Sequence, residues 1–441
     1  MAKFPKSNSK ISLLEAMSIG IGGMVGGGIF AVLGLAVSLA QGGTPLAFFF
    51  AGIIAGLTAY SYSKLSLAFP DRGGTVKFIN QGFGKTVFSG AINNLLWVSY
   101  IIMLLLYASA FGSYAPNLWS ISGIRAIDFH IYVSAIIILA TAVNYYSVEV
   151  VSKIEAYAVV IKLIILMGFV AVGLYGLFGN PNVEQLAISH WENPVLLLTG
   201  GMVIFVAYEG FELIANAAPD IINPEQNIAK AYNYSVWFVM FLYVIIAIVT
   251  VGSLPFQEIA KAEDYVLAEA AKPMLGHVGF TIITIAALIS TFSAINASLY
   301  GGSRVSFELA EDDELPHHLT SKLWNHPIGL MITAVLTLLI ANVLKLESIS
   351  TAGSAGFLLI FAIVNYVAFK LAKQVKAKKV VPLLGFLMCF IAFITLIIQQ
   401  FASNRVGVIV IGSVIFSCFV LEFIFKKHEA RRNLNNNVNK S

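Results

Sequence analysis

Apolar runs of about 20 residues recur from one end of this chain to the other, and that recurrence leaves few folds open. A run of that length crosses a bilayer as a helix. Within a bilayer only helices and closed barrels satisfy their own backbone hydrogen bonds. The chain therefore reads as an all-α polytopic membrane protein. Twelve candidate spans fall at 11–38, 45–69, 86–115, 128–146, 150–178, 195–217, 229–252, 276–306, 328–344, 351–372, 380–400 and 405–426, joined by short polar loops. Composition agrees, with 11% charged residues in 441 against about 25% in soluble domains. No room is left for a sizeable soluble domain.

The basic residues orient the spans. With the N-terminus inside, Arg125, Lys261, Lys272, Lys345 and Arg405 fall on the outer side, Lys162 falls on neither, and all the rest of the 27 fall inside. So lopsided a distribution predicts cytoplasmic termini, including a retained N-terminal tail over 1–10. It also accounts for the net charge of +4 without a nucleic-acid partner, since basic loops belong at a membrane face. Lys370 to Lys379 reads as such a loop. Cys389 and Cys418 lie in apolar runs and are expected to be free buried thiols.

Lys162, in "VVIKLIIL", is the one basic residue with no loop to occupy. It lies nine residues past Lys153, or about 14 Å at helical rise, close to the middle of a core about 30 Å thick. Its side chain is too short to reach either surface. A lysine facing lipid at that depth costs on the order of 3 kcal/mol, so Lys162 is expected to face the bundle interior. Burial there disfavours the charged form, which suits a residue that exchanges a proton during a cycle; a static structural charge is the alternative.

Two spans are interrupted. The first contains "GIGGMVGGGIF", with six glycines between Gly20 and Gly28, and the sixth contains "FVAYEGFEL", with Gly210 between Glu209 and Glu212. They hold corresponding places in two five-span halves, which is the sequence signature of a transporter site. Unwound backbone at membrane depth is tolerated only where something satisfies it. Amides of the half-helix beginning near Gly28 suit a carboxylate. Carbonyls of Gly20 to Gly23 and those near Tyr208 suit an ammonium group. Small-residue packing between straight helices is the competing reading of the glycines; it leaves the two glutamates unexplained. Asn93, Asn94, Asn144, Asn216, Asn296 and Asn365 are expected to hydrogen-bond between helices.

"GGMVGGGIF", "AYEGFE" and "SRVSFELAEDDELP" (Ser303 to Pro316), with the entry Ser9 to Ala16 and the lysine of the fifth span, resemble the amino acid–polyamine–organocation (APC) family of transporters. Within it, the likeness is to the ApcT-type proton-coupled amino-acid transporters. The resemblance implies a LeuT-like 5+5 inverted repeat with broken first and sixth helices. The repeats would be 11–178 and 195–372, followed by two peripheral helices over 380–426 and a cytoplasmic tail over 427–441. It places substrate between the backbone of Gly22, Gly23, Met24, Val25, Gly26, Gly27 and Gly28 and that of Ala207, Tyr208, Glu209 and Gly210. Phe205 or Tyr208 would gate, with Glu212 as a gating or proton residue. Lys162 would stand where relatives bind sodium, facing first-span carbonyls, Gly23 among them, and the eighth-span hydroxyls Ser290, Thr291 and Ser293. Pro219-Asp220 and Glu209 depart from the family pattern and leave the side-chain preference open.

The implied function is proton-coupled uptake of amino acids by alternating access at the cell membrane. Exchange of cationic amino acids or polyamines is the alternative, and a membrane enzyme or channel is remote. The chain lacks H-E-x-x-H, G-x-S-x-G and a nucleotide-binding loop, and its seven histidines are scattered. Asp312, Asp313, His317 and His318 match no metal spacing. Neither cofactor nor metal is expected.

Overall fold

The computed structural model describes residues 10–146, 148–311, 322–323 and 326–438. The expected tail residues 1–9 and the acidic and histidine residues at 312–318 lie outside them.

Each expected span is helical, and local chemistry sets where several begin. A capping box between Ser12 and Glu15 starts α1 (Leu13–Met24), and α2 follows (Gly28–Ala40). Pro45 lies in the first turn of α3 (Thr44–Ala68), and a short amphipathic α4 (Thr75–Phe83) leads to α5 (Val87–Tyr114), whose cap is Thr86. Then come α6 (Arg125–Tyr146) and α7 (Val148–Gly176).

The second half repeats this order. Asn193 caps α8 (Pro194–Val203), and a 3-10 turn at 205–208 leads to α9 (Leu213–Ala217). There follow α10 (Pro224–Ser253), the short α11 (Phe256–Ala262) and α12 (Val266–Ala270), and α13 (Lys272–Glu311), which kinks at Gly276. A two-residue ladder pairs Lys322–Leu323 with His326–Pro327 ahead of α14 (Ile328–Ala341) and α15 (Leu346–Lys370). The chain ends with α16 (Val380–Ser403) and α17 (Arg405–Val438).

Two bent pairs punctuate the bundle. α1 and α2 are bent by 45° across the first break, and α8 and the segment Phe205–Asp220 by 47° across the second. In both halves short helices separate the second span from the third. The most extensive helix contacts join α3 to α10 and α5 to α13. Each pair links corresponding members of the halves, as the inverted repeat demands. Among the described residues, nine helices are long and apolar enough to cross a bilayer, or eleven with each bent pair as one span. The helix in the ninth expected place, α14, has 14 residues, about 21 Å of helix.

Burial separates core from periphery. In α5 and α15, 83% of the apolar window is buried, against 17% in α17. The two repeats therefore enclose the site, and the last helix lies outside them. Cys389 and Cys418 are free and buried. Asn93 bonds Asn80, Asn94 bonds Glu422, Asn144 bonds Asn296, and Asn365 bonds Ser61 and Thr58, all between helices. The short helices α4, α11 and α12 stand where the sequence suggests plain loops.

Both ends of the broken pair are latched. Ile11 N–H donates to Asp220 O at 2.8 Å, Ile222 N–H to Ile11 O at 2.9 Å, and Arg72 pairs with Asp220 at 3.1 Å. At the other end Gly42 N–H donates to His190 O at 3.1 Å and Gln41 Nε2 to Glu192 Oε1 at 2.9 Å. The start of the first span is thus tied to the end of the sixth, and its end to the start of the sixth.

Candidate functional site

The two breaks meet backbone to backbone at Gly23 and Gly210. Gly210 has φ +118°, and a Cβ there would stand 2.4 Å from the carbonyl carbon of Gly23. A Cβ on Gly23 would stand 2.8 Å from Gly210 Cα, and one on Gly28 2.7 Å from Ala207 Cα. The glycines therefore let the two broken ends touch, and the spans that carry them are bent rather than straight. Gly27 lies against the ring of Tyr107 and Gly26 against Ala294 of α13.

Each break leaves carbonyls turned out of a helix, and side chains from neighbouring helices cap them. Lys162 of α7, fully buried, donates from Nζ to Gly22 O at 2.9 Å. Ser290 of α13 donates to Val25 O at 2.7 Å and also contacts Gly26 O. Tyr243 of α10 donates to Met24 O at 2.6 Å and to Ala207 O at 3.3 Å, touching both breaks at once. In the sixth span, Val203 O accepts from Ser350 at 2.8 Å and Ser354 at 2.6 Å, and Val206 N–H donates to Ser354 Oγ at 3.0 Å. The fifth and tenth spans thus do the same job in their two halves: α7 caps the first break with Lys162, and α15 caps the second with two serines.

The remaining expected residues are also buried here. Tyr208 donates from its hydroxyl to Phe48 O at 2.8 Å and packs on Tyr243; Phe205 packs on Phe361. Glu209 accepts from Tyr107 O–H at 3.2 Å. Glu212 accepts from Gly210 N–H at 2.7 Å and Tyr100 O–H at 3.4 Å. Ser293 is buried on α13, whereas Thr291 turns back to Ala287 O of its own helix at 2.7 Å and does not reach the first span. Tyr100, Tyr107, Tyr243, Ser350 and Ser354 are absent from the sequence expectations. Their signal is faint: a tyrosine hydroxyl within a span needs a partner, and Ser350 and Ser354, four apart, share one helix face. Among the described residues no three His, Cys, Asp or Glu side chains assemble as a metal site.

The broken backbone, the capping hydroxyls and the side chains of Lys162, Glu209 and Glu212 form one buried cluster between the first and sixth spans. The chain is similar over 432 residues, at 34% identity and 98% of both lengths, to an uncharacterized protein of Methanocaldococcus jannaschii. It is 31% identical to the inner membrane transport protein YbaT of Escherichia coli, over 94% of this chain and 96% of that one. Similarity to L-asparagine permease 1 of Mycobacterium tuberculosis is 26%, over 74% and 68%. Its fold matches a crystal structure of the Eremococcus coleocola manganese transporter with TM-score 0.63 at 13% identity, covering 97% of this chain and all of that one. The amino acid permease family model matches residues 11–424. The chain belongs to the amino acid permease family, and it is a multi-pass membrane transporter rather than an enzyme.

Proposed function

We propose that this protein takes up amino acids coupled to protons, by alternating access, at the plasma or inner membrane with both termini cytoplasmic. One observation carries the reading: Lys162, a buried cation at mid-span, donates to the carbonyl of Gly22 at the first break. The substrate's carboxylate would take the first-turn amides of α2, at the positive end of that half-helix. Its ammonium would take carbonyls of the breaks, from Gly22 to Gly26 and from Ala207 to Gly210. Tyr208 and Glu212 would move with the sixth span as it opens.

Protonated Lys162 supplies the charge that holds α7 on the first span, while Ser290 ties α13 to the same break three residues on. Deprotonation removes that charge and loosens α7 from Gly22, favouring the other facing of the bundle. The coupling is the difference in free energy between those two states. The permease family and the relative named for L-asparagine support amino acids as the substrate class. The lysine distribution and the inner-membrane relative support the location.

A second reading, exchange of cationic amino acids or polyamines, is favoured by Glu209, a buried carboxylate at the break. Proteoliposomes with imposed pH or sodium gradients, offered labelled amino acids with agmatine or putrescine as competitors, separate the readings. Proton coupling predicts uptake driven by an inward proton gradient and lost in Lys162→Ala, with the variant still inserted. Undiminished gradient-driven uptake by that variant, or acceleration by sodium instead, overturns it.

A further inference from the structure

The turn between α15 and α16 holds its lysines out while its apolar residues are pinned in. Ala372 and Val375 are buried, whereas Lys373, Lys376, Lys378 and Lys379 are exposed. Backbone bonds fix that pattern. Gln374 N–H donates to Leu371 O at 2.8 Å, Val375 N–H to the same carbonyl at 3.0 Å, and Ala377 N–H to Ala372 O at 2.9 Å. Lys376 has φ +52°, a left-handed conformation that suits glycine or asparagine better than a long side chain. A charge stands there against the backbone preference.

The turn is fastened to the end of α3. Lys378 N–H donates to the Tyr60 hydroxyl at 2.9 Å, and Lys64 Nζ stands 5.7 Å from the centre of the Tyr60 ring. Lys379 Nζ stands 5.9 Å from the Phe369 ring. Lys370 is engaged elsewhere, donating to Gly82 O at 2.7 Å. Residues 348–421 contain no acidic residue, and neither does α3. Among the described residues, no carboxylate pairs with Lys64, Lys373, Lys376, Lys378 or Lys379, and no acceptor takes the Tyr60 O–H.

Like charges gathered without carboxylates repel one another, and an anion relieves that repulsion. The turn joins two spans, so a lipid headgroup in the bordering leaflet is within reach of its lysines. Directly after the lysines, Val380, Leu383 and Leu384 of α16 are exposed. They offer an apolar face to acyl chains, which a soluble phosphate would leave uncovered. We infer that the junction of α3 with this turn binds one anionic phospholipid. Its phosphate accepts from the ammonium groups and from Tyr60 O–H, and its headgroup bridges α3 to the turn. The site requires only that the chain cross a membrane; it goes beyond the proposed function and depends on neither substrate nor coupling ion.

Native mass spectrometry of the full chain in detergent, titrated with phosphatidylglycerol or phosphatidylethanolamine, counts the lipids that stay bound. One phosphatidylglycerol is expected to be retained, about ten-fold or more tighter than phosphatidylethanolamine. Each lysine beside an anionic headgroup contributes a factor of about five, so Lys376→Gln with Lys378→Gln is expected to weaken retention about twenty-five-fold. Lys10→Gln with Lys230→Gln removes as much charge from two other exposed positions and is expected to leave retention unchanged. Equal retention of the two lipids overturns the inference. So does an equal loss in both double variants, which would make net charge the cause. Inorganic phosphate is expected not to displace the lipid; complete displacement assigns the site to a soluble anion and overturns the phospholipid. Should the turn variant fail to insert, Lys64→Gln leaves the turn intact and is expected to weaken retention about five-fold. Unchanged retention in Lys64→Gln overturns the bridge to α3. The measurement needs no transport, so its failure leaves the proposed function standing.

Discussion

The hydroxyl of Tyr243 lies 2.6 Å from the carbonyl oxygen of Met24 and also reaches Ala207 O. One side chain from α10 therefore ties the first break to the sixth. Tyr243→Phe keeps the ring that packs on Phe48 and Tyr208 and removes only the donor. It leaves the Met24 carbonyl buried and short of that donor, a loss of about 1–3 kcal/mol. The variant is expected to insert, to lose several degrees in Tm, and to transport at a tenth of the native rate or less. Equal Tm and rate in matched proteoliposomes would show that the breaks do not depend on this bridge.

Lys162 tests charge against titration. Arginine in its place keeps a cation that never deprotonates at accessible pH. If the lysine works by releasing its proton, Lys162→Arg holds the first break in one facing. Amino acids then still raise the thermal stability of the purified variant, while gradient-driven uptake falls to background. Retained uptake in Lys162→Arg would reduce the residue to a fixed structural charge.

The two serines of α15 differ in what they leave behind. Ser350 and Ser354 both donate to Val203 O, so either can keep that carbonyl paired, but Ser354 alone also accepts from Val206 N–H. Ser354→Ala strands a buried amide and is expected to cost about 1–3 kcal/mol, against about 0.5–1.5 for Ser350→Ala. Thermal denaturation of the two variants side by side checks the order; a reversed order contradicts these hydrogen bonds.

Some of this site is legible in the residues and some is not, for physical reasons. Lys162 stands out because a charge is costly in an apolar run, and the breaks stand out because six glycines within nine positions weaken a helix. The capping hydroxyls carry no such cost. Tyr243 in "FLYVII" has the same signature as any core tyrosine, and nothing local says that its hydroxyl reaches two carbonyls. Ser290 and Thr291 are neighbours in sequence but point about 100° apart on a helix, so only the packing of α13 tells which one meets the first span. The short helices α4, α11 and α12 escape hydropathy because none approaches the length of a span. Their places, after the second and the seventh spans, become visible only as a repeat.

Arg72 and Asp220 close one end of the broken pair, and their strength can be bounded. The side chains are 31% and 25% exposed, so the ion pair is worth no more than about 1 kcal/mol after screening. That is a factor of about five in a two-state population, enough to set how often this end opens without deciding the fold. The backbone bonds between Ile11 and residues 220–222 supply the rest of the latch. Arg72→Ala and Asp220→Asn are each expected to raise the labelling rate of a cysteine placed at buried Ala16 up to about five-fold, with Cys389 and Cys418 replaced by alanine. The exchange Arg72→Asp with Asp220→Arg is expected to bring the rate back toward native, because it restores the attraction with its direction reversed. Labelling that rises in both single variants and stays high in the exchange would assign the effect to local unfolding. Labelling that does not change in any of the three would leave the backbone bonds alone as the latch.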